Sequence, residues 1–113
     1  MMMTYRAIVE KIVDGDTIKM NIDLGFRTWI KANCRLYGIN TPELNSKDEE
    51  ERNRAKKALE YLSEILIVGK TYNIVSYELD KYGRPLVMIL IHGLEDSVNN
   101  LMLDNNHAVR YKP

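Results

Sequence analysis

The sequence predicts an all-β to α+β fold, a closed five-stranded barrel with a helix between the third and fourth strands and a short helix near the C-terminus. Three observations predict it. The first third of the chain has strand-like composition and apolar residues that alternate with period two. The period then changes to helical spacing and back to two more β-rich runs. Finally, 113 residues support one hydrophobic core and not two. With no repeat, low-complexity tract or Pro/Gly/Ser linker, residues 1–113 are expected to form a single domain.

The elements follow in order. Residues 5–13 are rich in β-branched and aromatic types and run into the turn Asp14-Gly15-Asp16. Ile18, Met20, Ile22 and Leu24 then alternate with Thr17, Lys19, Asn21 and Asp23, and Gly25 turns the chain. Thr28, Ile30, Ala32, Cys34 and Leu36 share one face of the next strand, while Arg27, Trp29, Lys31, Asn33, Arg35 and Tyr37 share the other. Ser46-Lys47-Asp48-Glu49 reads as a capping box, and the acidic residues 48–51 suit the positive end of a helix dipole. Ala55, Ala58, Leu59, Leu62, Ile65 and Leu66 follow at helical spacing, with Gly69 as the stop. A strand at about 71–79, the turn Asp80-Lys81-Tyr82-Gly83 and an apolar strand at 86–91 come next. Val98, Leu101 and Met102 predict the short second helix, ending at Asp104-Asn105-Asn106. Three meandering strands, one helix and two more strands suit an OB-type barrel, in which closure removes exposed sheet edges. A split α+β sandwich fits the same elements less well.

Composition excludes several classes. Apolar residues at 45% and charged residues at 28% argue against wholesale disorder. The apolar run 86–91 is too short to span a bilayer, so no membrane is expected as a partner. No charged lead followed by an apolar stretch opens the chain, so a cytoplasmic location is expected. A single cysteine, Cys34, excludes an internal disulfide and a multi-cysteine zinc site, and its parity places it in the core. Sixteen basic and sixteen acidic residues balance, which excludes a non-specific polycation but allows basic residues concentrated at one site. His92 and His107 lack a metal-ligand partner at recognisable spacing and read as structural or solvated. The run 48–57 reads as a solvated helix face with i,i+4 ion pairs. Arg27, Trp29, Lys31 and Tyr37 read as the outer face of a half-buried strand, the alternative being a nucleic-acid platform.

Three clusters offer chemistry. Asp14-Gly15-Asp16-Thr17 places two carboxylates in a turn, with Asp16 sharing the inward parity of Ile18 and Met20. Arg35-Leu36-Tyr37-Gly38-Ile39-Asn40-Thr41-Pro42-Glu43 carries a cation, an amide oxygen and a carboxylate at a strand end. Asp80-Lys81-Tyr82-Gly83-Arg84-Pro85 adds a second arginine at a hairpin turn. Alone, the first reads more readily as an acidic turn and the third equally as a hairpin turn in water. The second, at a strand end that feeds a loop, reads least readily as ordinary surface charge. Together they supply hard oxygen ligands, two forked phosphate donors and a spare carboxylate, the inventory that phosphodiester cleavage needs.

The three clusters, in this order and at about this spacing, resemble the thermonuclease (staphylococcal-nuclease-like) family from about Ala7 to Pro113. The resemblance implies an OB-fold barrel that hydrolyses DNA and RNA with Ca²⁺. It implies metal ligation by Asp16, Asn40 and the Thr41 carbonyl, and phosphate stabilisation by Arg35 and Arg84. Glu43 falls on the carboxylate assigned to the attacking water, Lys81 and Tyr82 on a pair near a terminal phosphate, and Tyr111 on the nucleotide pocket. The family usually has Asp where this chain has Asn40, which implies weaker Ca²⁺ binding, and usually continues into a further helix after the position of Pro113. The expected function is a calcium-dependent nuclease. The alternatives are a non-catalytic OB module that binds single-stranded nucleic acid, and a protein-interaction barrel with no nucleic-acid affinity.

Overall fold

The computed structural model describes residues 2–91 and 96–112. Its elements are β1 (Met3–Asp14), β2 (Thr17–Asp23), β3 (Trp29–Leu36), β4 (Ile39–Asn40), α1 (Glu49–Ile65), β5 (Thr71–Leu79), β6 (Pro85–Leu90), α2 (Val98–Asp104) and β7 (Val109–Arg110). Five strands close a barrel in the order β1-β2-β3-β6-β5, with β5 returning to pair with β1. The expected OB-type architecture is therefore present, with α1 between the third and fourth barrel strands and α2 after the fifth.

The barrel is mixed. All its neighbours are antiparallel except β3 and β6, which run parallel over Arg35↔Leu86 and Leu36↔Val87. A parallel pairing needs a long crossover, and the chain from β4 through α1 and β5 provides it. Inward residues of every barrel strand fill the core, among them Val9, Ile18, Met20, Leu36, Ile74 and Ile89, all fully buried. Ala58 and Leu62 of α1 and Val98 and Met102 of α2 join the same cluster. Cys34 lies in it as expected, and burial pushes its thiol up to about 12. None of the described helices is long and apolar enough to cross a membrane.

Several details differ from the sequence reading. The helix begins at Glu49 with Asp48 as its cap, accepting from the Glu50 N–H, rather than with Ser46. Ser46 is used one step earlier: its Oγ accepts from Asp48 N, and its carbonyl accepts from Arg52 at 2.7 Å. The expected i,i+4 pairs of α1 do not form among the described residues, whose single i,i+4 ion pair is Arg84–Asp80. Long exposed side chains lose more rotamer entropy in such pairs than the attraction returns in water. Two-residue strands β4 and β7 pair with each other and show no periodicity that sequence could display. Ile30 has the inward parity expected but stays 43% exposed, because β6 joins β3 only at its far end. Trp29 and Lys31 lie on the exposed outer side of β3, with Lys31 reaching Glu10 at 3.4 Å. His107 takes the structural one of its two expected roles: it is half-buried and its ring stacks on Tyr61 at 4.7 Å. His92 lies outside the described residues.

Candidate active site

Strand register assembles the site. Thr17↔Arg35 pairing sets the β1–β2 turn against the end of β3, where Leu36 N donates to the Asp16 carbonyl at 2.9 Å. On the other side of β3, the parallel step Arg35↔Leu86 brings in the β5–β6 turn and with it Arg84. Asp16, Arg35, Asn40, Thr41, Glu43 and Arg84 consequently line one small polar cavity of about 150 Å³, with Asp14 beside them.

Asp16 is only 9% exposed. Its Oδ2 accepts from the Thr41 N–H at 3.1 Å and lies 3.5 Å from Arg35 Nη2. Arg35 is held in turn by its own surroundings. Nη1 donates to the Leu36 and Ile39 carbonyls at 3.1 and 2.9 Å, and Nη2 donates to Asn40 Oδ1 at 2.8 Å. The guanidinium is thus fixed before any ligand arrives, and its plane also sits 5.4 Å from the centre of the Tyr111 ring. Glu43 is exposed, and its backbone N–H donates to Glu51 Oε2 at 3.1 Å, tying the loop to α1.

Two residues that sequence reasoning gave no role shape this cavity. Gly15 is closely packed: a Cβ there would lie 3.0 Å from Thr41 Oγ1 and 3.2 Å from Ala58 Cβ, so these neighbours would have to give way. Asp14 accepts the Asp16 N–H at 3.1 Å. Burial first, and then the hydrogen bonding and charge of Asp16, raise its carboxyl above the ordinary value. Carboxylate, amide and carbonyl oxygens are the donors present, and they fit a hard cation. Among the described residues no three His, Cys, Asp or Glu side chains converge, so such a cation would draw on amide and backbone oxygens.

A second cavity of about 390 Å³ adjoins the first and shares Arg35 and Arg84 with it. Lys81, Tyr82 and Tyr111 line it, which brings the remaining residues singled out in the sequence to the same place. The Tyr82 ring lies 5.2 Å from Lys81 Nζ and 5.5 Å from Arg84 Cζ. Tyr111 is anchored by its backbone N–H to the Gly38 carbonyl at 2.9 Å.

Asp80 organises this wall. Its carboxylate accepts from Tyr82 N, Arg84 N and Arg84 Nε at 2.8, 2.9 and 2.7 Å. The signal in the sequence is an Asp three residues before a turn glycine, where short acidic side chains bond the backbone ahead of them. Burial disfavours the charge on Asp80, but the hydrogen bonds from Arg84 and Tyr82 outweigh it and hold the carboxyl below its ordinary 3.8. A folded pKa below the unfolded one gives stability that is present above about pH 3.8 and lost as pH falls through the folded value. Asp80→Asn is therefore expected to melt at lower temperature than the parent near neutral pH, with the gap closing on acidification below 3.8. Thermal unfolding of both proteins across that range checks it; a gap independent of pH would contradict it.

Fold and site together define an OB-type barrel that gathers two arginines, carboxylates and neutral oxygen donors around a phosphate-sized cavity at the end of β3. Comparison with known proteins agrees. The family model described as staphylococcal nuclease homologue matches residues 33–113, well over half of the chain, and the chain belongs to that family. It is also similar to "Endonuclease YhcR" of Bacillus subtilis (strain 168), at 32% identity over 114 residues. That alignment covers 95% of this chain and 9% of the relative, so the chain spans a small part of the relative's length.

Proposed function

We propose that this domain is a calcium-dependent nuclease that hydrolyses phosphodiester bonds of DNA or RNA. The observation that carries the reading is the single cavity where Arg35, Arg84, Asp16 and Glu43 meet. Membership of the staphylococcal nuclease family and a relative named as an endonuclease support it.

The scissile phosphate sits between Arg35 and Arg84, whose forked donors meet its non-bridging oxygens as charge builds on them. Four residues already place the Arg35 guanidinium beside the cavity, and its Nη2 exchanges Asn40 Oδ1 for a phosphate oxygen as substrate binds. Glu43, exposed at the cavity edge, orients a water and takes its proton as oxygen attacks phosphorus in line. The new P–O bond forms as the opposite one breaks, and the departing oxygen is protonated by solvent. Asp16, Asn40 Oδ1 and the Thr41 carbonyl are the groups that would hold Ca²⁺, with Asp14 nearby. Calcium bound there supplies positive charge and Lewis acidity beside the phosphate. One flanking nucleoside occupies the cavity of Lys81, Tyr82 and Tyr111, with Lys81 meeting a further phosphate.

Cleavage of single-stranded DNA and RNA, with Ca²⁺ and with chelator, tests the reading. Cleavage is expected with added Ca²⁺, less with Mg²⁺, which demands tighter octahedral geometry, and none with chelator. Full activity after exhaustive chelation overturns the calcium assignment. Binding without cleavage at any Ca²⁺ concentration favours the non-catalytic module instead.

Asn40→Asp separates the metal role from a purely structural one. The change adds a negative charge beside the proposed cation and is expected to lower the Ca²⁺ needed for half-maximal cleavage several-fold. From sequence alone, repulsion with Asp16 is expected to destabilise the metal-free variant. An ion pair opposes that repulsion, since Asn40 Oδ1 already accepts from Arg35 Nη2 and a carboxylate there would carry the partner charge. Metal-free melting temperatures of the two proteins are expected to be close. Calcium titrations followed by cleavage and by thermal unfolding provide the check, and identical calcium dependence would remove Asn40 from the ligand set.

A further inference from the structure

The cavity of the two arginines shares part of its lining with a third and larger one, of about 480 Å³. Asn40, Thr41, Pro42 and Glu43 form the wall that the two share. The rest of the lining comes from parts of the fold that play no role in the reading above. Glu51 and Arg54 come from the first turns of α1, and Asn106 and His107 from the segment between α2 and β7. Pairing of β7 with β4 holds that segment against the site, because Val109 is registered with Asn40 itself.

We infer that this third cavity is a second nucleotide subsite, which receives the residue on the far side of the scissile phosphate from Lys81, Tyr82 and Tyr111. The inference rests on the nuclease reading. A phosphodiester has a nucleoside on each side, and the phosphate cavity shares a different wall with each of two larger cavities. One shares Arg35 and Arg84 with it, the other Asn40 to Glu43. The volume lies within the ~300–1,000 Å³ typical of small-ligand pockets and suits one nucleotide.

The lining also has the chemistry. Arg54 is exposed and makes no ion pair among the described residues, so its guanidinium is available to the next phosphate along the strand. His107 is backed by Tyr61 at 4.7 Å, which stiffens it as a surface for base stacking. Tyr61 is itself held by Asn105, whose Nδ2 donates to the phenol oxygen at 2.9 Å. Asn106 offers an amide that pairs with base edges. The carboxylates of Glu43 and Glu51 on the same wall disfavour a second closely spaced anion, so the subsite takes a base and one phosphate and not a polyphosphate chain.

The test compares two probes that the protein cannot turn over in chelator: a nucleoside 5′-phosphate and a dinucleoside phosphorothioate that carries its own 5′-phosphate, the group that Arg54 would meet. Affinities are read by calorimetry or NMR titration on the intact chain. The dinucleotide is expected to bind the parent about fivefold or more tightly than the mononucleotide, the low end of what one stacked base supplies. In Arg54→Ala and in His107→Ala the ratio is expected to fall toward one. Arg54 is exposed, so its variant folds whatever happens at His107, where loss of the Tyr61 contact carries a stability cost. Equal affinities for the two probes in the parent, or a ratio kept by both variants, overturn the subsite. The nuclease reading fails on a different result, the absence of calcium-dependent cleavage by the parent.

Discussion

Arg84→Ala is expected to slow cleavage at least ~100-fold, the scale on which loss of one preorganised charge-stabilising donor acts. Arg84 is the cleanest arginine to remove. Arg35 also bonds two backbone carbonyls and Asn40, so its loss loosens the loop that carries Thr41 and Glu43. Among the described residues the Arg84 side chain hydrogen-bonds only the turn residue Asp80, and it is one-third exposed. The fold is therefore expected to survive, apart from the small cost of leaving Asp80 without its partner. Arg84→Lys is expected to recover little of the rate, because an ammonium keeps the charge but not the fork. Single-turnover cleavage of an oligonucleotide, with melting curves on the same samples, decides the matter. A folded alanine variant that cleaves at the parent rate would remove Arg84 from the site.

Gly15→Val is expected to lose both stability and activity. A Cβ at this position meets Thr41 Oγ1 at 3.0 Å, Thr41 Cβ at 3.1 Å and Ala58 Cβ at 3.2 Å, so the branched side chain of valine crowds neighbours that a single carbon already presses. Thr41 and Ala58 are both buried, so neither side can yield freely. Overpacking of this kind costs about 1–3 kcal/mol. For a domain of this size that lowers the melting temperature by at least ~4 °C. Movement of Thr41 also breaks the hydrogen bond from its N–H to Asp16 Oδ2, which places the buried carboxylate. Cleavage is expected to fall further than the melting temperature alone explains. Unchanged melting would mean that α1 and the loop separate without cost.

Much of the barrel was legible in the sequence because its signal is local. Ile18, Met20 and Ile22 are buried and their neighbours half-buried or exposed, as alternation predicts, apart from Thr17 beside the turn. Ala55, Ala58 and Leu62 form the buried stripe of α1 that their spacing announces. Gly83, at φ 78, turns the β5–β6 hairpin where the sequence places a turn. The helix start was legible only to within a few residues, because Ser46 and Asp48 are both competent caps and the choice depends on which backbone N–H each can reach.

The sequence by itself determined the five barrel strands, the helices, most of the buried faces and the three short segments from which a site is built. Each follows from periodicity, capping or turn chemistry within a few residues of chain. Which residues of those segments face one cavity was decided by barrel closure. The parallel pairing of Arg35 with Leu86 sets Arg84 next to Arg35 across a long crossover, and Thr17 opposite Arg35 brings Asp16 to the same point. The contact of Gly15 with Thr41 and Ala58, the bond from Arg35 to Asn40, and the wall built by Arg54 and His107 arise in the same way. These contacts join residues distant along the chain, and no local pattern encodes them. They exist because Leu36, Ile39 and Val87 are buried together at the seam, and that shared burial fixes the register on which the site depends.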